Sequence, residues 1–109
     1  MKKDAIQKIA FQLISSAGMA CDYFYQALEA ARNRDFAKTE ALLEAGDKEL
    51  TQAHMSQSEF LAAEARGDEI EYSVIMAHAQ DSLMTTVLFE RVVKEFILLY
   101  KERGAEGDR

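Results

Sequence analysis

Apolar residues recur along this chain at intervals of three and four, and the pattern breaks twice. Ile6, Ile9, Leu13, Ala17, Ala20, Phe24, Leu28 and Ala31 fall along one side of a helix of period 3.6. Phe36, Leu42, Leu43, Leu50, Ala53, Phe60 and Leu61 form a second series. The breaks are Arg32-Asn33-Arg34-Asp35 and Arg66-Gly67-Asp68. The stretches between them are rich in Ala, Leu, Glu, Gln and Lys, which are good helix formers. The pattern predicts three helices, over about residues 4–33, 35–66 and 68–103.

Boundary chemistry fits this division. Asp35 suits the N-cap of the second helix, where its carboxylate accepts orphan backbone N–H groups. Gly67 suits the left-handed position that closes a helix. Asp68 with Glu71 three residues on reads as a capping box opening the third helix. The polar tail after Arg103 reads as a frayed end. Helices of about 30 residues reach roughly 45 Å. Joined by tight loops, they must lie antiparallel, so the fold class is all-α, an up-down-up three-helix bundle in a single domain spanning residues 1–109.

The third helix carries more apolar surface than one bundle face requires. One stripe runs Val74, His78, Asp81, Thr85, Leu88, Val92 and Leu99. A second runs Ile75, Ala79, Leu83, Thr86, Phe89, Val93, Phe96 and Tyr100. One stripe can fill the core of the chain; the other needs a cover. A helix central to its own bundle would use both, but a bundle of three is expected to have no central helix. The surplus therefore points to a homo-oligomer.

Composition narrows the function. The absence of proline and the five glycines disfavour a β-sandwich or barrel, and an apolar content of 49% excludes a disordered chain. Thirteen basic and 19 acidic residues leave a net charge of −6, which repels nucleic acid and anionic membrane. No stretch approaches the roughly 18 apolar residues of a membrane span, and no apolar signal core follows Lys2 and Lys3, so a cytoplasmic location is expected. The single cysteine, Cys21, can form no disulfide within the chain and reads as a small buried filler rather than a thiol nucleophile.

Three side chains offer chemistry. His54, in Gln52-Ala-His-Met-Ser, reads as a polar surface residue. His78 shares a helix face with Asp81, Ser82 and Thr85, and Ala77 and Ala79 leave it approachable. An imidazole so placed can serve as nucleophile, general base or metal ligand, or can simply bond to Asp81 or Gln80. Asp81 lies in an apolar stripe, where an unpaired carboxylate is costly to bury. It is exposed, paired with His78, protonated or bound to a cation. Copies meeting on a symmetry axis at roughly 4 Å would repel by about 4 kcal/mol per pair. A divalent cation such as Mg²⁺ would relieve that repulsion. No glycine-rich phosphate loop, CxxC or HExxH is present. Ser15-Ser16-Ala17-Gly18 is small enough for another chain or group to approach closely, or for close helix packing.

Several segments resemble one family. They are Ser16-Ala-Gly, Tyr25-Gln-Ala-Leu-Glu-Ala-Ala, Asp35-Phe-Ala-Lys-Thr-Glu-Ala-Leu-Leu, Ala53-His with Gln57, Glu64-Ala-Arg-Gly, His78-Ala-Gln-Asp-Ser-Leu-Met-Thr and Glu95-Phe-Ile-Leu-Leu-Tyr-Lys. Together they are similar to the enzyme IIA component of the lactose/cellobiose (diacetylchitobiose) family of the sugar phosphotransferase system, over about residues 5 to 102. The resemblance implies a homotrimer of antiparallel three-helix bundles. It implies that His78 accepts a phosphoryl group from the histidine phosphocarrier HPr and passes it to a cysteine of the enzyme IIB component, for uptake of a β-linked disaccharide. It places Asp81 on the three-fold axis, with one Mg²⁺ per trimer. His54, Gln80 and Ser82 are the expected contacts to the phosphoryl group or to partner proteins. The family often has a second histidine where this chain has Ser82; the hydroxyl can donate one hydrogen bond in its place. The rival expectation is a non-catalytic adaptor bundle in which His78 and Asp81 only specify assembly.

Overall fold

A computed structural model describes the backbone of residues 1–107 and the side chains of residues 1–103. It contains three helices, α1 (Lys3–Arg32), α2 (Phe36–Ala65) and α3 (Val74–Gly107), and no strand among the described residues. They form a narrow rod, 62 × 19 × 17 Å in Cα extent. The Met1 ammonium donates to the Glu69 carbonyl, so α1 begins beside the end of α2. Lys101 of α3 pairs with Glu40 of α2 at 3.1 Å, while Gln80 meets Gln57, so these two helices also run in opposite directions. The up-down-up bundle follows.

The first boundary is the expected one. Asp35 caps α2, its carboxylate accepting from the Lys38 N–H at 3.2 Å. Arg34 takes the left-handed turn before it, at φ 63°. At the second boundary Gly67 adopts φ +84°, again as expected. The start of α3 differs. Residues 68 to 73 are not helical, and no Asp68–Glu71 capping box forms. The Asp68 carboxylate instead takes the Arg66 guanidinium at 2.9 Å. Buried Ser73 caps α3, its Oγ accepting from the Met76 N–H at 3.2 Å. The delayed start lets Ile70 pack against the core, a long-range contact that outweighs a purely local capping signal. At the other end α3 continues to Gly107 where a frayed tail was expected; Asp108 and Arg109 lie outside the described residues.

The packing corrects a second expectation. One helix is central: α1 runs along both others, and α2 and α3 meet only sparingly. The reason is in its small side chains. Ala10, Ala17, Ala20, Ala27, Ala30 and Ala31 are all buried and let two helices approach α1 from different sides. Against α3, Thr86 Oγ1 donates to the Ala17 carbonyl at 3.3 Å. Ile6, Leu13, Phe24, Leu83 and Val93 fill the interior. In α2 only Leu50 and Ala53 of the expected apolar series are buried, and Leu61 is exposed.

The two stripes of α3 separate cleanly. Ala79, Leu83, Thr86 and Val93 are buried against α1. Of that stripe Phe96 alone is exposed. The other stripe is exposed along its length, with Val74 at 69%, Leu88 at 64% and Leu99 at 57%. No described helix is long and apolar enough to cross a membrane.

Candidate functional site

His78 stands one turn into α3 and faces outward. Asp81, Ser82 and Thr85 follow at spacings of three, four and seven, so all four line one groove. Its other wall is α1, through Ile14, Gly18 and Cys21, with Thr86 at the base. The groove holds about 470 Å³. His78 and Asp81 are exposed and Ser82 is half-buried, so reagents can reach the imidazole from outside.

Gln80 is not the hydrogen-bond partner of His78. The Gln80 side chain accepts from Gln57 Nε2 at 2.6 Å and lies 3.9 Å from the Met76 sulfur. Two residues along a helix turn through about 200°, so Gln80 faces α2 while His78 faces away from it. No ion pair joins His78 to Asp81 among the described residues. The imidazole is therefore presented rather than consumed by the fold.

Two predicted site residues thus lie away from the groove within one chain. Gln80 ties α3 to α2. His54 is exposed on α2, and the groove around His78 contains no α2 side chain. Asp81 supplies one carboxylate, and no three His, Cys, Asp or Glu side chains converge as metal ligands among the described residues. Cys21 is half-buried and borders the groove, not the filler expected. Ile14, Cys21 and Thr86 also line the groove, although nothing in the order of residues singles them out. The heptad spacing of α1 and α3 could have suggested them only with the pairing of those two helices in hand.

One perturbed carboxyl lies elsewhere. Glu90 sits on the side of α3 nearer α2, 3.3 Å from Lys94, which also reaches Asp47 at 3.7 Å. Burial and a hydrogen bond to Asp47 push the Glu90 carboxyl above its ordinary value, while Lys94 opposes the shift.

Comparison with known proteins gives a consistent picture. Residues 8–101 match the family described as "PTS system, Lactose/Cellobiose specific IIA subunit". The PTS system lactose-specific EIIA component of Staphylococcus aureus (strain N315) is 44% identical over 101 residues, covering 93% of this chain and 98% of that one. The crystal structure of the PTS cellobiose-specific enzyme IIA from Bacillus anthracis superposes with a TM-score of 0.89 at 34% identity, covering 96% of this chain and 94% of that one. The IIA(chitobiose) of the Escherichia coli phosphotransferase system, solved in complex with HPr, gives a TM-score of 0.79 at 27% identity, covering 95% and 99%.

Proposed function

The chain belongs to the lactose/cellobiose-specific IIA family of the sugar phosphotransferase system and is a phosphotransferase component, and on that premise we propose that His78 is its phosphoryl acceptor. The observation that carries this reading is an exposed imidazole in an open groove, with the Ser82 and Thr85 hydroxyls on the same face. The donor is HPr, the partner of the Escherichia coli relative. The lone pair of an unprotonated His78 ring nitrogen forms the new P–N bond. The donor's P–N bond breaks, and its electron pair returns to the donor ring. Nothing else is consumed. Transfer of this kind needs in-line positioning and charge stabilisation more than covalent machinery. Ser82 can donate one hydrogen bond to the bound phosphoryl group. The phosphoryl group then moves to a cysteine of the IIB component, in the cytoplasm, for uptake of a β-linked disaccharide.

The assembly is a homotrimer. The exposed stripe of Val74, Leu88, Val92 and Leu99 supports it, because a monomer would leave that apolar face in water. Asp81 lies within the same stripe. A single carboxylate is an incomplete donor set, so a cation fits only where copies of Asp81 meet. Carboxylate oxygens suit Mg²⁺, which would neutralise their repulsion. His54, exposed on α2, belongs to the surface met by partner proteins, and Gln80 supports that surface indirectly by holding α3 to α2 through Gln57.

Incubation with phosphoenolpyruvate, enzyme I and HPr tests the reading. One acid-labile phosphate should be added per chain, and none to a folded His78→Gln variant. A wild-type chain that gains no mass at any ratio of components would leave the adaptor bundle as the better account.

A further inference from the structure

Gly18 lies in the middle of α1, where glycine weakens a helix relative to alanine. Nothing within the chain calls for it. Its backbone is not left-handed, and a Cβ built there would meet nothing within 4 Å. Gly46 shows the contrast, since its Cβ would strike the Phe24 ring. The space left by Gly18 opens onto the His78 groove. It also opens onto an adjoining hollow of about 680 Å³ that Tyr25 and Phe89 help to line. Ile14, Gly18 and Cys21 border both, so the missing side chain lowers the wall between them.

We propose that Gly18 sets access to His78, its missing side chain keeping clear the space that the phosphoryl-bearing imidazole of the donor protein enters. In-line transfer places donor nitrogen, phosphorus and acceptor nitrogen on one line. The donor ring must then sit a full phosphoryl group beyond His78, at the open side of the groove. Gly18 stands on the α1 wall of that opening, across from Asp81, Ser82 and Thr85. A side chain at this position leaves the His78 imidazole untouched and narrows the path of a protein-borne donor. The inference rests on His78 as the acceptor.

Gly18→Ala and Gly18→Leu, compared with wild type using two donors, test it. Phospho-HPr brings its phosphoryl group on a protein side chain; phosphoramidate is a small P–N donor. Circular dichroism and sedimentation should match wild type for Gly18→Ala, and phosphoramidate should label His78 of both variants with less slowing than phospho-HPr shows. Transfer from phospho-HPr should fall about threefold in Gly18→Ala and about a hundredfold in Gly18→Leu, in kcat with KM little changed, because the donor docks but cannot align. Wild-type transfer from phospho-HPr in Gly18→Ala and in a folded Gly18→Leu overturns the inference. So does equal slowing with both donors, which would place the disturbance at His78 itself. A changed sedimentation coefficient in Gly18→Ala also overturns it, by assigning the space to a second copy of the chain. A wild-type chain that neither donor labels at His78 is a different failure, that of the acceptor assignment.

Discussion

Gly46 of α2 lies so close to Phe24 of α1 that a Cβ at position 46 would sit 2.5 Å from the ring's Cε1. Phe24 is fully buried and cannot swing away into solvent. The crossing of the two helices therefore depends on a side chain that is absent. Gly46→Ala should destabilise the fold by about 1–3 kcal/mol despite its better helix propensity, because overpacking a filled core costs more than propensity returns. Denaturant unfolding checks this; a variant as stable as wild type would mean that α2 shifts freely along α1.

Glu90 gives the chain a pH dependence with a definite sign. Its carboxyl is raised above the ordinary 4.5 by burial and by its hydrogen bond to Asp47. A carboxyl with a raised folded value stabilises the fold most below the unfolded value, and that contribution is lost as pH rises through the folded value. Glu90→Gln keeps the shape and removes the titration. Its thermal midpoint should match wild type near pH 4 and exceed it at pH 7. A lower midpoint at pH 7 would show that the Lys94 pairing outweighs burial.

His54 is exposed on α2 and absent from the groove of its own chain. His54→Ala should leave one phosphate per chain and slow transfer from phospho-HPr by about threefold, within the roughly 1 kcal/mol below which most interface contacts fall. Single-turnover kinetics read both numbers. Complete loss of labelling in a folded variant would give His54 a direct part in the chemistry.

Asp81 and Leu88 test the assembly separately. Leu88 is 64% exposed in the single chain, on the stripe that the trimer is proposed to cover. Leu88→Lys should dissociate the trimer while helical content is kept, as sedimentation and circular dichroism would report. Asp81→Asn should lose bound metal and retain trimer through the apolar stripe. In wild type, chelation should weaken the trimer by restoring repulsion among carboxylates. A wild-type trimer indifferent to chelator and free of metal by elemental analysis would remove the cation from the account.

Much of this protein is legible in local pattern. A period of 3.6 in the apolar residues depends only on helix geometry, so three helices and the two breaks follow from the chain itself. Asp35 and Gly67 are equally local, one offering an acceptor to free N–H groups and the other tolerating a left-handed turn. The excess apolar face of α3, the grouping of His78 with Asp81, Ser82 and Thr85, and the family also needed only the order of residues.

Tertiary packing decided the rest, because it turns on which surfaces meet. Alanine-rich faces made α1 the central helix, a choice that periodicity cannot make among three amphipathic segments. Residues 68 to 73 stay out of α3, Ile70 among them packs against the core, and Ser73 rather than Asp68 caps the helix. The meeting of α2 with α3 gave Gln80 its partner Gln57, and the pairing of α1 with α3 supplied Ile14, Gly18 and Cys21 as the far wall of the groove. Each outcome is a contact between residues distant in sequence, and its energy arises only once the helices are side by side.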